Sequence, residues 1–142
     1  MLDPRGGALG RMLWPFRLGV GGRLGSGRQY FSWVSIEDVL GALLFLLQRG
    51  DIHGPVNVTA PDPPTNAAFT RALGAALRRP TLAAVPAPLL SLLVGEMADA
   101  ELLASKRVVP AVLEQAGFDF LHPTLEACFD HLLGRRRLEP VR

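Results

Sequence analysis

Cysteine, lysine and tyrosine are almost absent from these 142 residues: each occurs once, as Cys128, Lys106 and Tyr30. A single cysteine excludes an intrachain disulfide and fits a reducing compartment. Three scattered histidines, His53, His122 and His131, show no ligand spacing, so no metal site is expected. Long hydrophobic runs are missing too. The longest, Val39 to Leu47, falls far short of the roughly 20 residues that span a bilayer. The opening has no clean apolar core after its basic start, so no secretory signal is expected. An excess of charge of one sign is missing as well. The net charge is +2, and the basic cluster Arg135-Arg136-Arg137 reads as a solvated tail. A nucleic-acid footprint needs a basic face with supporting polar or aromatic groups, and none is evident. The expected location is the cytoplasm, with neither nucleic acid nor membrane as partner.

What is present is a globular composition, 49% hydrophobic and 20% charged, in a length that suits one ordinary domain. The chain is organised around Gly25-Ser26-Gly27-Arg28-Gln29-Tyr30-Phe31-Ser32-Trp33-Val34-Ser35-Ile36-Glu37-Asp38. Two glycines open backbone conformations closed to other residues. Aromatic and β-branched residues follow and suit a strand over Tyr30 to Ile36. Glu37 and Asp38 suit the positive end of a following helix.

Leu9, Met12, Leu13 and Phe16 recur at helical steps, and Pro15 is expected to end or bend that helix. Gly19 to Gly27 reads as a loop. No strand leads into it and no helix starts on it, so it does not match a dinucleotide fingerprint. Glu37 to Gln48 is apolar almost all round, which predicts a helix buried on all sides. Val56 to Thr59 reads as a short strand, and Thr65 as a helix cap before Phe69, Ala72, Leu73, Ala76 and Leu77. A short strand over Leu82 to Val85, a helix over Leu89 to Val94, further helix near Glu101 to Leu103 and another over Val108 to Ala116 are expected. Gly117 stands where a helix end is expected. Leu125, Cys128, Phe129, Leu132 and Leu133 mark the last amphipathic helix.

Gly25, Gly27, Gln29, Val34, Ile36, Glu37, Asp38 and Ala42, with Gly54-Pro55-Val56-Asn57-Val58 after them, resemble the later part of the extended short-chain dehydrogenase/reductases, the epimerase-like group. Phe31-Ser32-Trp33, Pro86 through Gly95-Glu96-Met97, and Gly117-Phe118 before Pro123 resemble a narrower subfamily with a C-terminal domain of unknown function. The resemblance covers nearly the whole chain. It implies an α/β origin: the helix-rich C-terminal, substrate-side lobe of a Rossmann-type enzyme, with a few short strands and the nucleotide-binding lobe absent. The expected division is 1–60 as the end of the reductase core, 61–134 as a helical C-terminal domain and 135–142 as a basic tail.

Departures from the family pattern shape the expected function. The family's catalytic tyrosine lies four residues before a lysine, but Val34 follows Tyr30 at that spacing and Lys106 is remote. No catalytic or cofactor-binding residue is therefore expected here. NAD or NADP is implied only for the full-length family enzyme. Nucleotide-sugar enzymes of the group often carry an arginine where Phe31 stands, and a phenyl ring cannot replace a guanidinium that pairs with phosphate. Arg28, three residues away, could reach an anion only by different geometry.

Arg28, Trp33 and Asn57 are the candidate substrate contacts for an unknown small molecule. Trp33 packs in the core or walls the cleft, Asn57 bonds a loop backbone or faces the cleft, and Asp38 caps or orients the buried helix or contacts the substrate. Ser32 and Ser35 are expected on the strand face opposite Trp33. Ser35, His53 and Asp38 form a Ser-His-Asp set on paper, without a nucleophile-elbow motif. The leading expectation is a substrate-side fragment of an NAD(P)-dependent epimerase-like oxidoreductase, not catalytic alone. The alternative is a stand-alone binding or interaction module derived from that family. The expected partner is the absent nucleotide-binding lobe, or a second copy through self-association.

Overall fold

The computed structural model describes residues 1–81, 84–85 and 105–134. Helix α1, Gly7–Arg17, turns Leu9, Leu13 and Phe16 inward, and each is buried. Trp14 and Leu18, on the other side, stay open to solvent. Pro15 does not stop the helix where expected; α1 runs on to Arg17 with the proline inside its last turn. There the ring removes only one hydrogen bond, and the Pro15 carbonyl accepts the N–H groups of Val20 and Gly21 at 3.0 Å each. Gly21 is required by close approach, since a Cβ there would run into the Phe16 ring.

Strand β1, Arg23–Leu24, pairs in parallel with β2, Ala84–Val85. The segment from Arg28 to Ser35 is not the regular strand that its composition predicts. It forms isolated bridges instead, Tyr30 with Thr65, Phe31 with Lys106 and Leu2 with Ser35. Its partners come from three separate segments that each touch it briefly, so no ladder extends. The alternation nevertheless survives: Gln29 and Trp33 are buried and Phe31 packs on the core, while Arg28 is exposed and Tyr30 and Ser32 are half-buried. The expected strand over Val56 to Thr59 is absent as well. No backbone hydrogen bond joins residues 55–58 to another described segment, and a strand without a paired edge is not held as one.

Helix α2, Ile36–Leu47, starts on Ser35, whose hydroxyl accepts the Asp38 N–H. Helix α3, Asn66–Leu77, starts on Thr65 in the same way, as expected. The Asn66 side chain accepts the Leu24 N–H at 2.8 Å and so ties β1 to the start of α3. Helix α4, Ala111–Gln115, is shorter than expected because Pro110 fills its N-cap position, and Gly117 follows with φ of 77°. Helix α5, Leu125–Leu132, starts on Thr124. The expected helix over Leu89 to Val94, the turns near Glu101 to Leu103 and the tail over 135–142 lie outside the described residues. So do two residues of the expected Leu82 to Val85 strand.

The core forms where α1, α3 and α5 meet under the Arg28–Ser35 segment. Phe69 lies at its centre, 4.6 Å from Phe31 and 5.4 Å from Phe129 between ring centroids. Leu2, Leu9, Leu13, Phe16 and Trp33 join Phe69, Leu73, Leu125 and Phe129 in one cluster, so residues on both sides of position 60 share it. The expectation for α2 is overturned: only Asp38 and Ala42 are buried along it. Leu40, Leu43, Leu44 and Leu47 are 55%, 50%, 62% and 84% exposed. Among the described residues no helix is long and apolar enough to cross a membrane.

Replacing Phe69 by Ala should cost about 3–5 kcal/mol, because a fully buried ring touching two others leaves a cavity that the helices cannot close. Urea unfolding followed by circular dichroism checks this; a loss under about 1 kcal/mol would move the core's centre elsewhere.

Candidate functional site

Two polar constellations stand on the frame of the Arg28–Ser35 segment. The first is buried, at the N-terminus of α2. Ser35 donates its hydroxyl proton to Asp38 Oδ2 at 2.7 Å and accepts the Asp38 N–H at 2.9 Å. Asp38 Oδ1 accepts the Leu121 N–H at 2.7 Å, and Oδ2 accepts the His122 N–H at 3.2 Å. With the Ser35 proton committed to Asp38, the His122 ring fits as its Nδ1–H tautomer, donating to Ser35 Oγ over 3.3 Å. The His122 ring lies 4.7 Å from that of His131, whose Nε2 is 3.5 Å from Glu37 Oε1.

This arrangement joins serine, histidine and aspartate without making a nucleophile. The Ser35 proton points to the carboxylate rather than to the imidazole, and Ser35 is wholly buried. The histidine is His122, not the exposed His53 of the paper combination. Ser35 is a buried cap, and not an outward strand residue. Asp38 performs the structural role expected of it, orienting α2 and anchoring the 121–122 loop. Cys128 sits close by, fully buried; burial first, then the charges of Glu37 and Asp38, hold its thiol pushed up to about 12. A thiol so protonated is inert as a nucleophile or metal ligand. No cluster of metal-ligating side chains occurs among the described residues.

The second constellation is open to solvent. On the outer side of the Arg28–Ser35 segment, Ser32 donates to the Lys106 carbonyl at 2.7 Å and accepts the Val108 N–H at 3.0 Å. Tyr30 N–H donates to Ser105 Oγ at 3.2 Å. These bonds draw residues 105–108 alongside, and the Arg107 guanidinium lies over the Tyr30 ring at 5.3 Å. Arg28 is exposed on the same side.

The three sequence-derived contacts are not gathered together. Arg28 is on this open face. Trp33 is 2% exposed, with its ring in the core rather than on a cleft wall, and its indole N–H has no partner among the described residues. Asn57 is exposed in the irregular 55–58 stretch. No hydrogen bond, ion pair or ring contact joins the three among the described residues. Lys106 and Arg107 escaped sequence reasoning because they stand more than 70 residues from Tyr30, and it is the Ser32 and Tyr30 hydrogen bonds that bring them there.

Comparison with known proteins then decides the family. A family described as a domain of unknown function (DUF1731) matches residues 85–132. An epimerase family protein of Mycobacterium bovis is 49% identical over 125 residues, which are 88% of this chain and 42% of that protein. The human epimerase family protein SDR39U1 is 38% identical over 133 residues, 94% of this chain and 45% of its own.

The crystal structure of human SDR39U1 (isoform 2) with NADPH superimposes with a TM-score of 0.86 at 37% identity, covering 94% of this chain and 45% of that one. A nucleoside-diphosphate sugar epimerase from Corynebacterium glutamicum superimposes with a TM-score of 0.71 at 29% identity, over 98% of this chain and 25% of that one.

The chain corresponds to the C-terminal portion of an epimerase family protein. It spans less than half the length of these relatives. These solved relatives share the helix-rich, strand-poor fold over the part that superimposes.

Asp38→Ala should destabilise this epimerase-family fold by about 2–4 kcal/mol, because it leaves the buried Ser35 hydroxyl and two loop N–H groups without their acceptor. Asp38→Asn, which keeps one acceptor, should lose less. Equal stability of all three proteins in urea would remove Asp38 from its anchoring role.

Proposed function

We propose that the chain provides the substrate side of an NAD(P)-dependent epimerase-like oxidoreductase, and that it does not turn over substrate alone. The observation that carries this reading is the leucine stripe of α2. Leu40, Leu43, Leu44 and Leu47 recur at steps of three and four, so they form one helical face, and each is at least half exposed. A face of that kind is built to be covered. The stretch Pro55-Val56-Asn57-Val58 supports the same conclusion, since its exposure alternates as a strand's does and it has no backbone hydrogen-bond partner among the described residues.

On this reading both features receive the nucleotide-binding portion of the family enzyme: α2 against the face of its sheet, residues 55–58 along its edge. The catalytic tyrosine–lysine pair and the cofactor loop belong to that portion. The solved human relative, crystallised with NADPH, supports NAD(P) as the cofactor of the complete enzyme. Arg28 and Asn57, both exposed, are the proposed substrate contacts from this chain. Trp33 is assigned to hold the segment between them from behind. The cytoplasm is the proposed location, on the single buried thiol.

Calorimetry of the purified chain with NADPH and NADH, alongside a steady-state oxidation assay, tests the proposal. We expect no binding at micromolar concentration and no turnover. Saturable cofactor binding, or any steady oxidation, would contradict it.

A further inference from the structure

We propose that the groove between the C-terminal ends of α1, α3 and α5 binds a single-chain amphiphile of the fatty-acid class, its chain on a leucine floor and its carboxylate on Arg17 and Arg78. The groove measures about 530 Å³, within the roughly 300–1,000 Å³ of small-molecule sites. Three helices end at it: Arg17 is the last residue of α1, Leu77 of α3 and Leu132 of α5. Its floor is apolar. Ala76, Leu77, Leu132 and Leu133 are half-buried, packed against the core while they line the groove. None of Arg28, Asn57 and the exposed α2 leucines lines it.

The charge at the groove is positive. No acidic side chain lines it, and neither Arg17 nor Arg78 makes an ion pair among the described residues, while Arg5 and Arg49 pair with Asp3 and Asp51. Three helix ends contribute about half a negative charge each, less together than two guanidiniums. Arg78 also stands where its backbone is strained. Its φ of 54° and ψ of 41° are left-handed, and it is the one non-glycine residue with positive φ among the described residues. The Arg79 N–H donates to the Gly74 carbonyl at 2.9 Å and closes α3 on that turn, where glycine fits without strain. A helix end can take its favourable cation anywhere in the last turn, so it does not call for arginine at this position. A carboxylate head gives both arginines a partner, since guanidinium N–H pairs match its two oxygens.

The test is calorimetric titration of the whole chain with dodecanoate below its micelle concentration, with dodecanol as the uncharged probe. We expect one saturable dodecanoate site, weakened tenfold or more by Arg78→Gly and by Arg17→Ala, and dodecanol weaker by a similar factor. Arg78→Gly relieves the left-handed strain, so its melting temperature should hold or rise while binding falls. That combination separates a ligand contact from a helix cap, whose loss would lower the melting temperature and leave binding alone. Arg17→Ala, at an exposed position, keeps the test open if Arg78→Gly unfolds. No saturable binding, or full binding in both folded arginine variants, would overturn the proposal. Dodecanol binding as tight as dodecanoate would overturn the role of the arginines. Binding that survives both arginine variants and is lost in Leu44→Ser would place the probe on α2 and overturn the groove as its site.

Discussion

One carboxylate holds the two halves of the chain in register. Asp38 lies in the first turn of α2, wholly buried, and accepts from Ser35 on one side and from Leu121 and His122 on the other. A buried charge is tolerated only when hydrogen bonds replace the water it has lost. Here the replacements come from residues more than 80 positions apart. The loop after α4 is therefore fixed to the start of α2, and Phe118 and Phe120 are brought edge to face beside Phe45. Gly41 leaves room for Phe118, whose ring comes within 3.4 Å of where a Cβ would stand.

The two sides of α2 then have different tasks. Asp38 and Ala42 face inward and set the helix's place. The leucines face outward with nothing over them among the described residues. Burial of apolar surface stabilises by about 25 cal/mol per Å², so a leucine face left in water forgoes a large share of a small domain's stability. The same sequence property has two outcomes on one helix, because burial depends on what is packed alongside and not on composition.

Much of this was legible in the residues. Thr65 before Phe69, the glycine after α4 and the stripe of α5 carry local rules of capping and spacing, and all three stand where expected. The alternation of Gln29, Phe31 and Trp33 against Arg28, Tyr30 and Ser32 was also readable as a pattern. Its failure to become a strand was not, because a ladder depends on neighbours supplied by distant segments. The same limit explains residues 55–58, which alternate correctly and pair with nothing described. Pairing of His122 rather than His53 with Asp38, and of Arg107 with Tyr30, depends on approaches across more than 70 residues that no local rule encodes. The epimerase-family resemblance, by contrast, rested on motifs in order along the chain, and the superposition on solved relatives supports it.

The central proposal is that the leucine face of α2 receives the nucleotide-binding portion of the family enzyme. Hydroxyl-radical footprinting of Leu40, Leu43, Leu44 and Leu47 tests it most directly, on the chain alone and after mixing with the separately produced nucleotide-binding portion of a relative. The account predicts strong labelling alone and protection of these four on mixing, with Leu9 and Leu73 protected throughout. Unchanged labelling of the four in a demonstrated complex, or their protection in the monomeric chain by itself, would contradict it.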